Sequence, residues 1–149
     1  MSEFLETTVD KFTFKVATDR LYNSEGVWAK MEGDLVRVGL SDFPQQRSGD
    51  VAFVEVKQAG MHVAYGDEIA SIETIKVNIS LASPVAGEVV EVNPVMASAP
   101  EVINQDPFGT GWLALVKPDL WASDTPHLLD PQAYFAEMRL AVEQEVRKQ

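Results

Sequence analysis

The sequence predicts a mainly β fold with flanking helices, and three observations carry that prediction. Short runs of β-branched and alternating apolar residues recur at close, regular spacing from Val27 to Val92. Gly33, Gly49, Gly60, Gly66 and Pro84 punctuate those runs as turn residues. Helical periodicity is confined to a short segment after Ser41 and to stretches beyond Ser98. Short strands at such spacing fit a small sandwich or a flattened barrel. The 149 residues suit one domain, residues 1–149, with a core of its own.

In order along the chain, residues 1–10 carry no clear period and are expected to be loose. Lys11 to Val16 alternates polar and apolar, as an edge strand does. Val27 to Met31 and Leu35 to Leu40 flank Glu32-Gly33-Asp34, a hairpin turn, and Val36, Val38 and Leu40 fall on one face. Ser41 to Arg47 reads as a short helix capped by Ser or Asp, with Gly49 past its end. Strands follow at Val51 to Val56, Glu68 to Glu73, Ile79 to Ala82 and Gly87 to Val92. Gly49-Asp50-Val51 and Gly66-Asp67-Glu68-Ile69 echo each other faintly. Ser98-Ala99-Pro100-Glu101 has the form of a capping box, with Pro100 in the first turn where its missing N–H is harmless. Gly109 to Val116 predicts one more strand. Asp130-Pro131 opens a final helix over 130–148, in which Phe135, Met138 and Val142 recur at helical spacing as a core-facing stripe.

Composition narrows the function. The chain has no cysteine, which excludes disulfides, thiolate metal sites and cysteine nucleophiles. Any thiol chemistry has to arrive on a cofactor. A net charge of −11 repels phosphate backbones, so no nucleic-acid partner is expected. The same acidity suits weak docking onto basic patches of partner proteins, or simply solubility. No apolar run approaches the roughly 20 residues needed to span a bilayer. Met1 to Glu6 is acidic and lacks the features of a signal peptide. The expectation is a cytoplasmic protein without a membrane partner.

Catalytic machinery is thin. His62 and His127 lie in turn-like contexts without the spacing of a metal site and are expected to be solvated. No phosphate-cradling glycine loop and no serine elbow is present. Glu88 and Glu91 fall on opposite faces of a regular strand and so make no carboxylate pair. The chain reads as a non-catalytic component, with no metal site expected.

Lys76 stands apart. It is the only Lys or Arg between Lys57 and Lys117, in the short segment Ile75-Lys76-Val77 between two strands. A lysine at a hairpin tip projects into solvent on a stiff base, as a modifying enzyme requires. Most surface lysines are merely solvated charges. Here the apolar neighbours Ile75 and Val77 are costly to expose without a purpose, and Pro84-Val85-Ala86-Gly87 would fix the base of the hairpin.

Glu73-Thr74-Ile75-Lys76, followed by Pro84 to Asn93, resembles the lipoylation region of glycine cleavage H proteins. Val38-Gly39-Leu40-Ser41-Asp42-Phe43, Gly49 to Glu55 and Pro100 to Leu113 are similar to further motifs of that family, so the resemblance runs from about Trp28 to Phe135. It implies a flattened lipoyl/biotinyl-type barrel-sandwich hybrid with a C-terminal helix. It implies lipoic acid in amide linkage to Lys76, with Glu73 as a lipoylation-recognition residue. The implied partners are a lipoate ligase or lipoyl transferase, glycine decarboxylase, aminomethyltransferase and dihydrolipoamide dehydrogenase, and the swinging arm would carry an aminomethyl group. Biotin sites usually have methionine on both sides of the lysine, which Ile75 and Val77 do not match. The chain also departs from the H-protein pattern. Gly26-Val27 replaces the usual His-Glu before Trp28, and Val77 the usual small residue. These departures are compatible with H-like lipoate-binding proteins that carry sulfur intermediates alongside heterodisulfide-reductase-like sulfur-oxidation proteins. An unlipoylated interaction module is the third alternative.

Overall fold

A computed structural model describes residues 3–147 of the chain. Its elements are β1 (Phe4–Val9), β2 (Phe12–Ala17), β3 (Leu21–Tyr22), β4 (Val27–Glu32), β5 (Leu35–Leu40), α1 (Asp42–Ser48), β6 (Val51–Val56), β7 (His62–Val63), β8 (Glu68–Thr74), β9 (Asn78–Ala82), β10 (Gly87–Val92), α2 (Val95–Ser98), α3 (Val102–Gln105), β11 (Ala114–Pro118), α4 (Trp121–Asp124), a 3-10 turn (Thr125–His127) and α5 (Pro131–Arg147). All strand pairings between these elements are antiparallel. A six-stranded sheet has the order β3-β4-β5-β11-β10-β7, a three-stranded sheet the order β6-β8-β9, and β1 and β2 form a separate hairpin. The predicted mainly β fold with a C-terminal helix stands, as layered sheets rather than a closed barrel.

Period-two patterning builds the first core. Val36, Val38 and Leu40 of β5 face inward, as their spacing predicts, and meet Val54 of β6, Ile69 and Ile72 of β8, and Val89 of β10 in one apolar cluster. Strand β4 is buried on both faces: Val27 and Ala29 enter this cluster while Trp28 points the other way. Trp28 joins Phe14, Tyr22, Phe43, Tyr134, Met138 and Val142 in a second, largely aromatic cluster under α5. Gly39 lies directly opposite Trp28 in the ladder, and a Cβ there would overlap the indole ring. The Arg20 guanidinium covers that ring at 4.5 Å, and the indole N–H donates to the Pro107 carbonyl at 3.1 Å.

Several expectations need correction. Residues 4–9 are not loose: β1 pairs with β2 from Phe4↔Ala17 to Val9↔Phe12. The cause is tertiary, because Leu5 and Val9 pack into the second cluster beside α5. Ser98 does not open a helix but ends α2, which starts earlier because the Asn93 side chain accepts the Val95 N–H at 3.1 Å. Glu101 stands at the N-cap of α3 without a capping side-chain bond. Ser41 stands at the N-cap of α1, yet its hydroxyl bonds the Tyr134 hydroxyl at 3.0 Å instead of capping. Residues 109–111 are turn and 112–113 irregular, so the strand starts only at Ala114. Asp106 accepts both the N–H and the O–H of Thr110 at 2.9 Å, and Asn93 donates to the carbonyls of Thr110 and Trp112. A bulge between Val89 and Glu91 breaks the alternation of β10, so Glu88 and Glu91 are both exposed. The final helix agrees with its signals: Asp130 accepts the Ala133 N–H at 2.8 Å, and Met138 and Val142 are buried. Phe135 is half-buried, and Tyr134, absent from the predicted stripe, is the buried aromatic. Position 148 lies outside the described residues.

Two expected outcomes follow from the second cluster. Gly39→Ala should destabilise the fold by about 1–3 kcal/mol through overpacking against Trp28, read from urea denaturation; a loss below 0.5 kcal/mol, roughly the scatter of neutral surface changes, would contradict the packing. Burial pushes the Tyr134 hydroxyl up to about 12, and burial raises Tyr22 further. A raised acid is stabilising while it stays protonated, so this contribution is whole below pH 10 and is lost as pH climbs through about 12. Tyrosinate absorbance from these two groups should therefore rise together with unfolding. Ionisation of all three tyrosines in an intact fold would contradict the burial.

Candidate functional site: the Lys76 turn

Strands β8 and β9 pair from Glu68↔Ala82 to Glu73↔Asn78, leaving Ile75, Lys76 and Val77 as the turn. One side chain organises it. The Thr74 hydroxyl accepts the N–H of Lys76 at 3.1 Å and that of Val77 at 3.0 Å, and donates to the Ser48 carbonyl at 2.7 Å. The Thr74 N–H closes the turn onto the Val77 carbonyl at 2.8 Å, and the Ile75 N–H reaches the Asp50 carbonyl at 3.2 Å. Threonine in this role makes an ST-turn, a local side-chain bond that replaces a missing ladder bond. The turn is thus bolted to the end of α1 and the start of β6.

Lys76 is exposed at the tip, as expected, but its amine does not project freely. Nζ donates to the Arg47 carbonyl in the last turn of α1 at 3.0 Å. That acceptor belongs to the negative end of the helix, which favours a cation. The lysine stem passes Gly49, where a Cβ would come within 3.1 Å of Cδ, and Gly49 has φ +92°. Glycine therefore serves both the backbone and the close approach. Among the described residues Lys76 has no carboxylate partner. Ile75 is 75% exposed and Val77 43%.

Glu73 is exposed at the end of β8, between Phe53 and Asn78 in the ladder, and its carboxylate makes no bond to Lys76. Phe53, 59% exposed, extends the apolar surface next to the turn; the alternation of β6 did not single it out. Beside Lys76 runs a groove of about 350 Å³ that α1 shares with β1, β2 and α5. Asn104 of α3 supports the base of the site. Its side chain accepts the Val51 N–H at 2.9 Å and donates to Gln45 and to the Gly49 carbonyl.

The other singled-out residues do not join this site. His62 pairs with Asp119 at 2.6 Å on the surface, a carboxylate neighbour that chain spacing hid. His127 lies against the Tyr65 ring. Among the described residues no group of three or more His, Cys, Asp or Glu could hold a metal ion.

Residues 20–140 match a family model described as glycine cleavage H-protein. The chain belongs to this family. It is 42% identical over 120 residues to the glycine cleavage system H protein of Thermus thermophilus, covering 80% of this chain and 92% of the relative. It is also 42% identical over 115 residues to that of Bacteroides fragilis, covering 77% and 90%. A solved structure of a glycine cleavage system H protein from Mycobacterium marinum superposes with a TM-score of 0.73 at 31% identity, covering 80% of this chain and 96% of that one. Membership makes the chain one of a family of lipoyl carriers. The match leaves out residues 1–19, which contain β1 and β2, and α5 beyond residue 140. No helix among the described residues is long and apolar enough to cross a membrane.

The Lys76 turn fits an acyl group in amide linkage. The amine is exposed, no carboxylate neutralises it, and its acceptor is a carbonyl that an amide N–H can serve as well as an ammonium.

Sequence reasoning found the turn and missed what anchors it. Thr74 two positions before the lysine was a legible ST-turn signal. Replacing it isosterically, Thr74→Val, should cost about 1–2 kcal/mol, because two N–H groups and one carbonyl lose their partner. Amide exchange at Lys76 and Val77 should accelerate, and Thr74→Ser should restore both properties. Unchanged exchange in the valine variant would mean that the hydroxyl does not hold the turn.

Proposed function

We propose that the chain is a single lipoyl-carrier domain, non-catalytic in itself, that bears lipoic acid on Lys76 and shuttles a sulfur-bound intermediate between the enzymes of glycine cleavage. The observation that supports it most is a lone amine, presented by an anchored turn, within the stretch matched by the H-protein family. Attachment requires Nζ to release a proton to solvent and attack a carboxyl carbon activated by a lipoate ligase or lipoyl transferase. A C–N bond forms and the activating group leaves with its electron pair. Glu73 and Phe53, both exposed beside the turn, offer that enzyme an acidic and an apolar contact. Once bound, lipoic acid supplies a pair of sulfurs that interconvert between disulfide and dithiol, chemistry this cysteine-free chain lacks.

What this chain contributes is position. The turn confines the attachment point while the lysine stem and the acyl chain rotate. Tethering of this kind raises the local concentration of a reactive end to about the millimolar range once a partner has docked. The relatives named above favour glycine decarboxylase, aminomethyltransferase and dihydrolipoamide dehydrogenase as partners. A sulfur-intermediate carrier is the second reading. Two positions favour it: Val27 is wholly buried, and a side chain at Gly26 would collide with the Tyr134 and Ser41 hydroxyls, so the polar pair usual before Trp28 is absent here.

Expressed with a lipoate ligase, the protein should gain one lipoyl group by intact mass, and Lys76→Arg should gain none while melting at the same temperature. Lipoylation of the arginine variant would place the group elsewhere. The loaded protein should support bicarbonate exchange by glycine decarboxylase. Failure with a competent decarboxylase would favour the sulfur-intermediate reading.

A further inference from the structure

Strand β9 forms one edge of the three-stranded sheet. Neighbouring residues of a strand turn their backbone groups to opposite edges. Around β9 the odd positions face β8 and its approach: the Val77 carbonyl accepts the Thr74 N–H at 2.8 Å, and the Ser83 N–H donates to the Asp67 carbonyl at 2.7 Å. The even positions face outward. Ala82 is closed off there, because its N–H donates to the Glu25 carboxylate at 3.2 Å and its carbonyl accepts the Asn23 side-chain amide at 3.0 Å. Asn78 and Ser80 have no such cover. Among the described residues nothing bonds their outward N–H and C=O groups, and both residues are exposed. Edge strands are commonly guarded by a charge, a proline or a bulge. Strand β9 has neither charge nor proline, and the bulge in its ladder lies on β8.

We propose that the outward edge of β9 at Asn78 and Ser80 is the docking strand for the enzyme that acylates Lys76, which adds an extended, basic segment of its own to the sheet. The proposal rests on the reading that Lys76 is acylated. Position selects this partner. Asn78 follows Lys76 and Val77 directly, so an enzyme that must bring an activated carboxyl to Nζ itself comes up against the edge. An enzyme that acts on the sulfurs meets them a full acyl chain away and has no such need. Backbone groups define the form of the occupant: an N–H and a C=O from each of Asn78 and Ser80, on one side of a strand, take an extended segment by strand addition. Charge defines its sign. Glu25 stands at the Ala82 end of the edge, and Glu73 lies opposite Asn78 in the ladder. Both are exposed, and among the described residues neither has a cationic partner. Because Ala82 is already bonded, pairing stops short of it. So short an addition suits an acceptor that has to be released once it is loaded.

The test uses a lipoate ligase and the full chain. In the Lys76→Arg variant, which cannot be acylated, amide exchange at Asn78 and Ser80 should slow about tenfold or more when the ligase binds. Ser80→Pro deletes one outward N–H and leaves the ladder to β8 intact, since an edge strand tolerates proline on its free side. With Lys76 present, this variant should lower kcat/KM for acylation about tenfold, chiefly through KM. Ser80→Ala should keep the wild-type value, and Ser80→Lys should fall below it. Melting temperatures verify that the variants fold, and the exchange result decides by itself if the proline variant does not. Unchanged exchange at both amides overturns the proposal, as does a wild-type rate in folded Ser80→Pro. An equal loss in Ser80→Ala assigns recognition to the hydroxyl and overturns strand pairing. A Ser80→Lys rate at or above wild type overturns the basic character of the segment. Intact mass separates the two readings: a wild-type chain left unacylated at Lys76 sinks the carrier reading and the docking strand with it, whereas acylation without protection of the edge sinks the docking strand alone.

Discussion

The carrier reading depends on how three exposed residues are held still. A hairpin tip of Ile75, Lys76 and Val77 buries almost nothing that could stabilise it. Its order comes instead from the Thr74 hydroxyl, which is itself buried and bonded to α1. Because that hydroxyl is shared by two turn amides and a helix carbonyl, the turn is tied to α1, and the Ile75 N–H ties it to the residue before β6. A net hydrogen bond contributes only about 1 kcal/mol, but three on one atom act together because losing the atom orphans every partner. Asn104 repeats the device one layer below, joining α3 to Gln45, Gly49 and Val51.

The second constraint is that β4 is buried on both faces. Trp28 can face away from the sheet core only because another apolar layer covers it, and hairpin β1–β2 together with α5 provides that layer. Gly39 is required where the indole lies across the ladder, and Arg20 closes the remaining face of the ring while donating to the Phe108 carbonyl. The segments outside the family match are therefore not appendages: Phe14, Val16 and Val142 belong to the same buried cluster as Trp28 and Tyr134. Phe43 belongs to both regions: it packs edge-on against Phe14 at 5.5 Å and also lines the groove beside Lys76.

What was legible in the sequence was local. The strands from Val27 to Val92 declare themselves by alternation and by glycines that the chain needs at positive φ, such as Gly33 and Gly49. The Lys76 turn was legible for the same reason, since it is what remains between two paired runs. Contacts between distant residues were not legible. The acceptor that fixes Thr74 lies 26 residues earlier, and the Trp28 indole bonds a carbonyl 79 residues later. In β1, Leu5, Thr7 and Val9 alternate with exposed residues as a strand should, but the apolar half is too weak to read without knowing that α5 covers it. The capping box at Ser98 failed because Asn93, five residues earlier, starts its helix first. The site follows the same rule: its lysine was visible, whereas its anchor and its groove are made by side chains brought from elsewhere.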